Sequence, residues 1–156
     1  MQNRLNQKNY NKNNARMKLS ISFPHPPIAL SPNSKVPLQP RAAAGMNARK
    51  MRAKMDTRNA AFVRALAATK EAPQRNFPAR TVAVSWYYKL GVPPDVDNVV
   101  ARLKPILDGC AQAFGMNDRD FESITVRRVK TLGPLAGTLD LIFDTEVPQE
   151  GDTEQC

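Results

Sequence analysis

Polar and apolar residues alternate along 18–23, with Leu19, Ile21 and Phe23 on one side, and a proline cluster closes the run. A period of two predicts a strand. From 24 to 40, prolines and the stretch Ser31-Pro32-Asn33-Ser34 argue against regular structure, so a long loop is expected, which is uncommon without a function. Residues 41–70 are rich in Ala, Arg, Lys and Met, and Met51, Met55, Phe62, Ala65 and Leu66 recur at helical spacing. They predict a long helix, with Gly45 as a candidate break. Residues 81–90 are β-branched and aromatic, with Val82, Val84, Trp86 and Tyr88 on alternate positions, and predict a second strand.

Val99, Leu103, Ile106, Leu107, Cys110 and Phe114 then trace one face of a helix over 98–114. Asp97 is the expected cap and Gly115 the expected stop, while Pro105 should cost a hydrogen bond and bend the helix. Alternation returns at 123–130 and 138–143, with Gly133, Pro134 and Gly137 turning the chain between them. The predicted order is strand, helix, strand, helix, strand, strand.

Composition trims this domain at both ends. Residues 1–17 are mostly Asn, Gln, Lys and Arg, and 147–156 are acidic without a hydrophobic pattern. Both are expected as loose tails, leaving a folded domain over 18–146, with Met17 as a second candidate for the first residue. Lys and Arg total 23 against 14 acids, a formal charge of +9, which favours a polyanionic partner. The helix over 41–70 carries many of these cations, among them Arg49, Lys50, Arg52, Lys54, Arg58 and Arg64. A solvated face and a DNA contact are both open for them.

No apolar run is long enough to span a bilayer, and no apolar signal stretch opens the chain, so a soluble, intracellular protein is expected. Cys110 and Cys156 form neither a disulfide framework nor a zinc pattern, and Cys110 is expected as a small core residue. His25, the sole histidine, lies among prolines and leaves little material for a histidine-based site.

The acids are the informative residues. Asp95 and Asp97 stand two apart in Pro93-Pro94-Asp95-Val96-Asp97-Asn98, and Asp118 lies beyond the next helix in Met116-Asn117-Asp118-Arg119-Asp120. In an extended segment two such side chains project to one side about 7 Å apart, close enough to share a hard cation such as Mg²⁺. Asp118 joins them only if the tertiary fold returns it. The duller roles are a helix cap for Asp97, a turn residue for Asp95 and loop acids for Asp118 and Asp120. An EF-hand starting at Asp95 is excluded by Val100 and Ile106, where Gly and Glu are needed. A glycine-rich phosphate loop is absent. Lys104 and Asp108, four apart, share the helix side of Asp97 as a surface ion pair or as a lysine for the scissile phosphate.

In their order, Asp95-Val96-Asp97-Asn98, Leu103-Lys104-Pro105-Ile106-Leu107-Asp108-Gly109 and Asn117-Asp118-Arg119-Asp120-Phe121 resemble the motif series of the RusA family of Holliday-junction resolvases. Phe23-Pro24-His25-Pro26-Pro27 and Leu30-Ser31-Pro32-Asn33 are similar to the proline-rich opening of its phage-type members. The resemblance runs from about Leu19 to Phe143. It implies a small two-layer α+β domain that dimerises, with a mixed sheet and helices packed on it. It further implies Mg²⁺-dependent nicking of four-way DNA junctions, with Mn²⁺ as a substitute, in the cytoplasm of a bacterium or phage-infected cell. Asp95, Asp97 and Asp118 match the family's metal-binding carboxylates, and Lys104 its lysine. Two departures stand out: about three extra residues between Asn98 and Lys104, nearly one helical turn, and Gly91-Val92-Pro93-Pro94 where basic residues often precede the first aspartate. A junction- or duplex-binding protein without catalysis, and a less selective metal-dependent nuclease, are the rival expectations.

Overall fold

Every run with a period of two becomes a strand: β1 (Lys18–Pro24), β2 (Thr81–Tyr88), β3 (Ser123–Lys130) and β4 (Thr138–Asp144). The structure, a computed structural model, describes residues 16–32, 40–70, 77–89, 91 and 93–146, with the backbone alone at 40–43. Most of the two expected tails and Leu90 at the end of the expected second strand therefore lie outside the described residues.

The strands form one mixed sheet in the order β1-β4-β2-β3, with β2 parallel to β3 and the other neighbours antiparallel. Register sets Phe23, Leu139 and Trp86 in one row, Ile21, Leu141 and Val84 in the next, and Leu19, Phe143 and Val82 in the third. All but Leu19 are buried. Ser20, Ser22, Ala83 and Ile142 on the other face are exposed, so α1 (Pro40–Lys70) and α2 (Val96–Phe114) cover one face only. This is the expected two-layer α+β domain.

Helix α2 buries the stripe read from the sequence, Val99, Leu103, Ile106, Leu107, Cys110 and Phe114, against the sheet. Phe114 meets Phe143 edge-on at 4.9 Å between ring centroids. Gly115, at φ 72°, ends the helix: its N–H donates to the Gln112 carbonyl at 3.2 Å, and Met116 N–H to the Ala111 carbonyl at 3.0 Å. Pro105 removes the donor for the Ala101 carbonyl, yet the helix continues past it, because the buried stripe holds both halves on the core.

Several expectations need correction. Helix α1 runs unbroken through Gly45. Among the described side chains its buried residues are Ala61, Ala65 and Thr69, whereas Met51 and Met55 are 60% and 57% exposed and Leu66 is exposed. At 1.5 Å per residue α1 outreaches α2 by about 18 Å, so the N-terminal half of its apolar stripe has no helix to meet. Within the expected loop, Ile28–Leu30 forms a 3₁₀ turn, its Leu30 N–H donating to the Pro27 carbonyl at 3.1 Å. Arg16 and Met17, expected in the tail, are held: Arg16 lies 2.8 Å from Asp144, and Met17 N–H donates to Thr145 Oγ1 at 3.0 Å.

Candidate functional site

Asp95 precedes α2 and makes no side-chain capping bond, while Asp97 lies inside its first turn. The expected cap is thus displaced by two residues, because the helix begins at Val96 rather than Asn98. This changes the geometry of the pair. Residues two apart do not share a side once the second is helical, so Asp95 and Asp97 lose the common projection that an extended segment gives them. Both are exposed, and no described residue bonds or ion-pairs with either carboxylate.

Asp118 is brought back by the chain itself. The left-handed turn at Gly115 reverses the backbone, and a short 3₁₀ turn, Asp118–Asp120, follows. Asn117 caps that turn by accepting from Arg119 N–H at 3.3 Å, while its own N–H donates to Asp120 Oδ2 at 2.8 Å. Asp120 is thereby spent on the turn. Asp118 is left facing α2, where its carboxylate accepts a hydrogen bond from Lys104 Nζ.

Lys104 also donates to Asp108 Oδ1 at 2.7 Å, so one ammonium bridges two carboxylates contributed from opposite sides of a chain reversal. The hydrogen bonds that it donates to Asp108 and Asp118 raise the Lys104 ammonium above its ordinary pKa. The hydrogen bond from Lys104 lowers the Asp118 carboxyl below the usual carboxylate range. These residues line a cavity of about 400 Å³ together with Arg58, Gln112 and Asn117. Arg58 reaches it from α1, donating to Gln112 Oε1 at 3.1 Å.

The structure thus brings together Lys104, Asp108, Asp118 and Arg58. Asp95 and Asp97 are not brought to them. Asp97 is seven residues before Lys104 on the same helix face, two turns or roughly 10 Å along the axis. Among the described residues no group of three or more His, Cys, Asp or Glu side chains stands together closely enough to hold a metal ion. Asp95, Asp97 and Asp118 are not grouped in this way, and the charge facing Asp118 is a lysine. Asp108 was visible in the sequence as the i+4 partner of Lys104. The return of Asp118 had a local signal, Gly115 followed by an Asn-x-x-Asp cap.

The expected DNA-contacting cations divide. Arg49, Lys50, Arg52 and Lys54 stand on the unpacked half of α1, with no bond or ion pair to a described residue, whereas Arg58 belongs to the cavity. Arg64 serves the fold, donating to the Ser22 carbonyl at 2.9 Å. Among the described residues no helix is long and apolar enough to cross a membrane. No family model and no curated protein matches the chain.

Proposed function

We propose that the protein is an endonuclease for four-way DNA junctions, acting in recombination and repair, similar to the RusA family. One observation carries the reading: Lys104 and Asp118, two of the four residues that the resemblance names and 14 residues apart, meet in a cavity across the turn that ends α2. A phosphodiester entering that cavity competes with Asp108 and Asp118 for the three N–H groups of Lys104. Lys104 then neutralises a non-bridging oxygen, and Arg58 supplies a second cation as charge builds on the phosphate. Asp108 and Asp118 keep the ammonium charged and aimed before the substrate arrives.

Mg²⁺, or Mn²⁺ in its place, enters the proposal through the resemblance alone. Paired symmetric nicks need two copies of the site, so the reading includes a two-fold homodimer. Its setting is the DNA-containing cytoplasm of a bacterium or phage-infected cell.

The test incubates labelled synthetic junctions and Mg²⁺ with wild type, Asp118→Asn and Lys104→Ala. Paired nicks by wild type and losses of roughly 100-fold in each variant are expected. Uncut junctions, or equal cutting by Asp118→Asn, remove the reading. Linear duplex and flaps as competitors separate a resolvase from a less selective nuclease.

A second reading, junction or duplex binding without catalysis, is favoured by the separation of the aspartates and by the free cations of α1. Salt-sensitive binding that ignores Mg²⁺ and yields no product strands decides for it.

A further inference from the structure

The second large opening lies on another side of α2, at the C-terminal end of β2. Its cavity of about 410 Å³ falls within the roughly 300–1,000 Å³ range of ligand sites. His25, Trp86, Tyr88, Lys89, Pro94 and Arg102 line it. Trp86 is buried and anchors the wall: the His25 ring stacks on it at 4.1 Å, and the Arg102 guanidinium lies 5.0 Å from its centroid. Arg102 is fixed in turn by the Pro26 carbonyl, which accepts from its Nε at 3.1 Å. Burial, with Arg102 nearby, lowers the pKa of His25 and so favours a neutral ring. The positive charge of the wall then comes from Arg102 and Lys89.

Two further features point outward from the same place. The loop 131–137 is tied to the end of β2, with Thr131 N–H donating to the Tyr88 carbonyl at 3.0 Å and Gly137 N–H to the Tyr87 carbonyl at 3.1 Å. That loop lines the opening with Ala136 and Gly137 and exposes Leu132 (74%) and Leu135 (48%). Arg128 donates to the Pro94 carbonyl at 3.0 Å, placing a cation beside the segment that leads to Asp95. Flat rings, cations and bare leucines in one place match a ligand that is at once anionic and flat. Nucleic acid with an unstacked base has that chemistry: base stacking supplies affinity, cations take the phosphates, and an apolar side chain fills the gap left in the stack.

We propose that this crevice is a subsite for one unpaired DNA base at a branch point, with Tyr88, Arg102 and Lys89 gripping the nucleotide and Leu132 and Leu135 wedging the duplex beside it. The proposal rests on the reading of DNA as the partner. It does not use the Lys104 cavity, because Arg102 and Lys104 are two apart on α2 and face different sides.

The experiment uses the full chain in EDTA and two probes of one sequence: a duplex with a single bulged 2-aminopurine and the same duplex fully paired. Wild type is expected to bind the bulged probe about tenfold more tightly and to quench its 2-aminopurine. The emission of Trp86, the sole tryptophan, should shift only with that probe. Tyr88→Ala combined with Lys89→Ala should bring the affinity ratio to near one. Leu135→Ser, an exposed change that spares the core, should do so in part and remains informative if the Tyr88 variant fails to fold. A wild-type ratio of one, or a preference that survives both sets of substitutions, overturns the subsite. Base preference without junction cutting sinks the nuclease and spares the subsite, and cutting with a ratio of one does the reverse.

Discussion

A methyl group at position 109 has no room. Its Cβ would lie 2.9 Å from the Ala61 Cβ and from Phe62 N, and closer still to the Arg58 carbonyl oxygen, all on α1. Backbone atoms cannot swing away, so the helices must part. Gly109→Ala is expected to destabilise the protein by about 1–2 kcal/mol net of its gain in helix propensity, read as a lower urea midpoint. Gly45→Ala is the contrasting case, since nothing lies within 4 Å of its added Cβ, and should stabilise by roughly 0.5–1 kcal/mol. At the Lys104 bridge the signs are opposite for the two partners. The Asp118 contribution is present above its ordinary value of 3.8 and lost as pH falls through its lower folded value. The Lys104 contribution is complete below 10.5 and lost as pH rises through its higher folded value. The bridge therefore persists across neutral pH. Carbon-detected NMR titration should place the Asp118 midpoint below 3.8 in wild type and return it towards that value in Lys104→Ala. An unchanged midpoint would show that the bridge does not form in solution.

The two helices differ as elements because they bury different kinds of residue. In α2 large apolar side chains sit on the face that meets the sheet, so periodicity alone located its core face. In α1 the face that meets its neighbours is Ala61, Ala65 and Thr69, and the larger Met51, Met55 and Leu66 are left outside. A pattern of hydrophobicity weights large residues, whereas close helix packing at Gly109 selects small ones. The free half of α1 then has its own consequence. Replacing Arg49, Lys50, Arg52 and Lys54 with alanine preserves helix propensity and removes four cations from that half. The slope of log affinity against log salt for duplex DNA should flatten by about 0.9 for each phosphate that is no longer neutralised. An unchanged slope would take α1 out of the DNA interface.

At the scale of the whole molecule, the order of elements was legible and their arrangement was not. Strand alternation, the α2 stripe and the Gly115 stop are local, set by which side chains face water, and each could be read from its own segment. Sequence separation says nothing about who sits beside whom. The central place of β4 between β1 and β2, the parallel pairing of β2 with β3, and the crevice between Trp86, Arg102 and the 131–137 loop all come from contacts between distant segments. The candidate site divides along the same line. Lys104 and Asp108 were paired by helix geometry, and Asp118 was returned to them by a turn whose glycine and cap are written in the chain. The distance from that cluster to Asp95 and Asp97 was decided by where α2 begins and by its length, because a rigid helix holds groups at its start two turns away from groups farther along it.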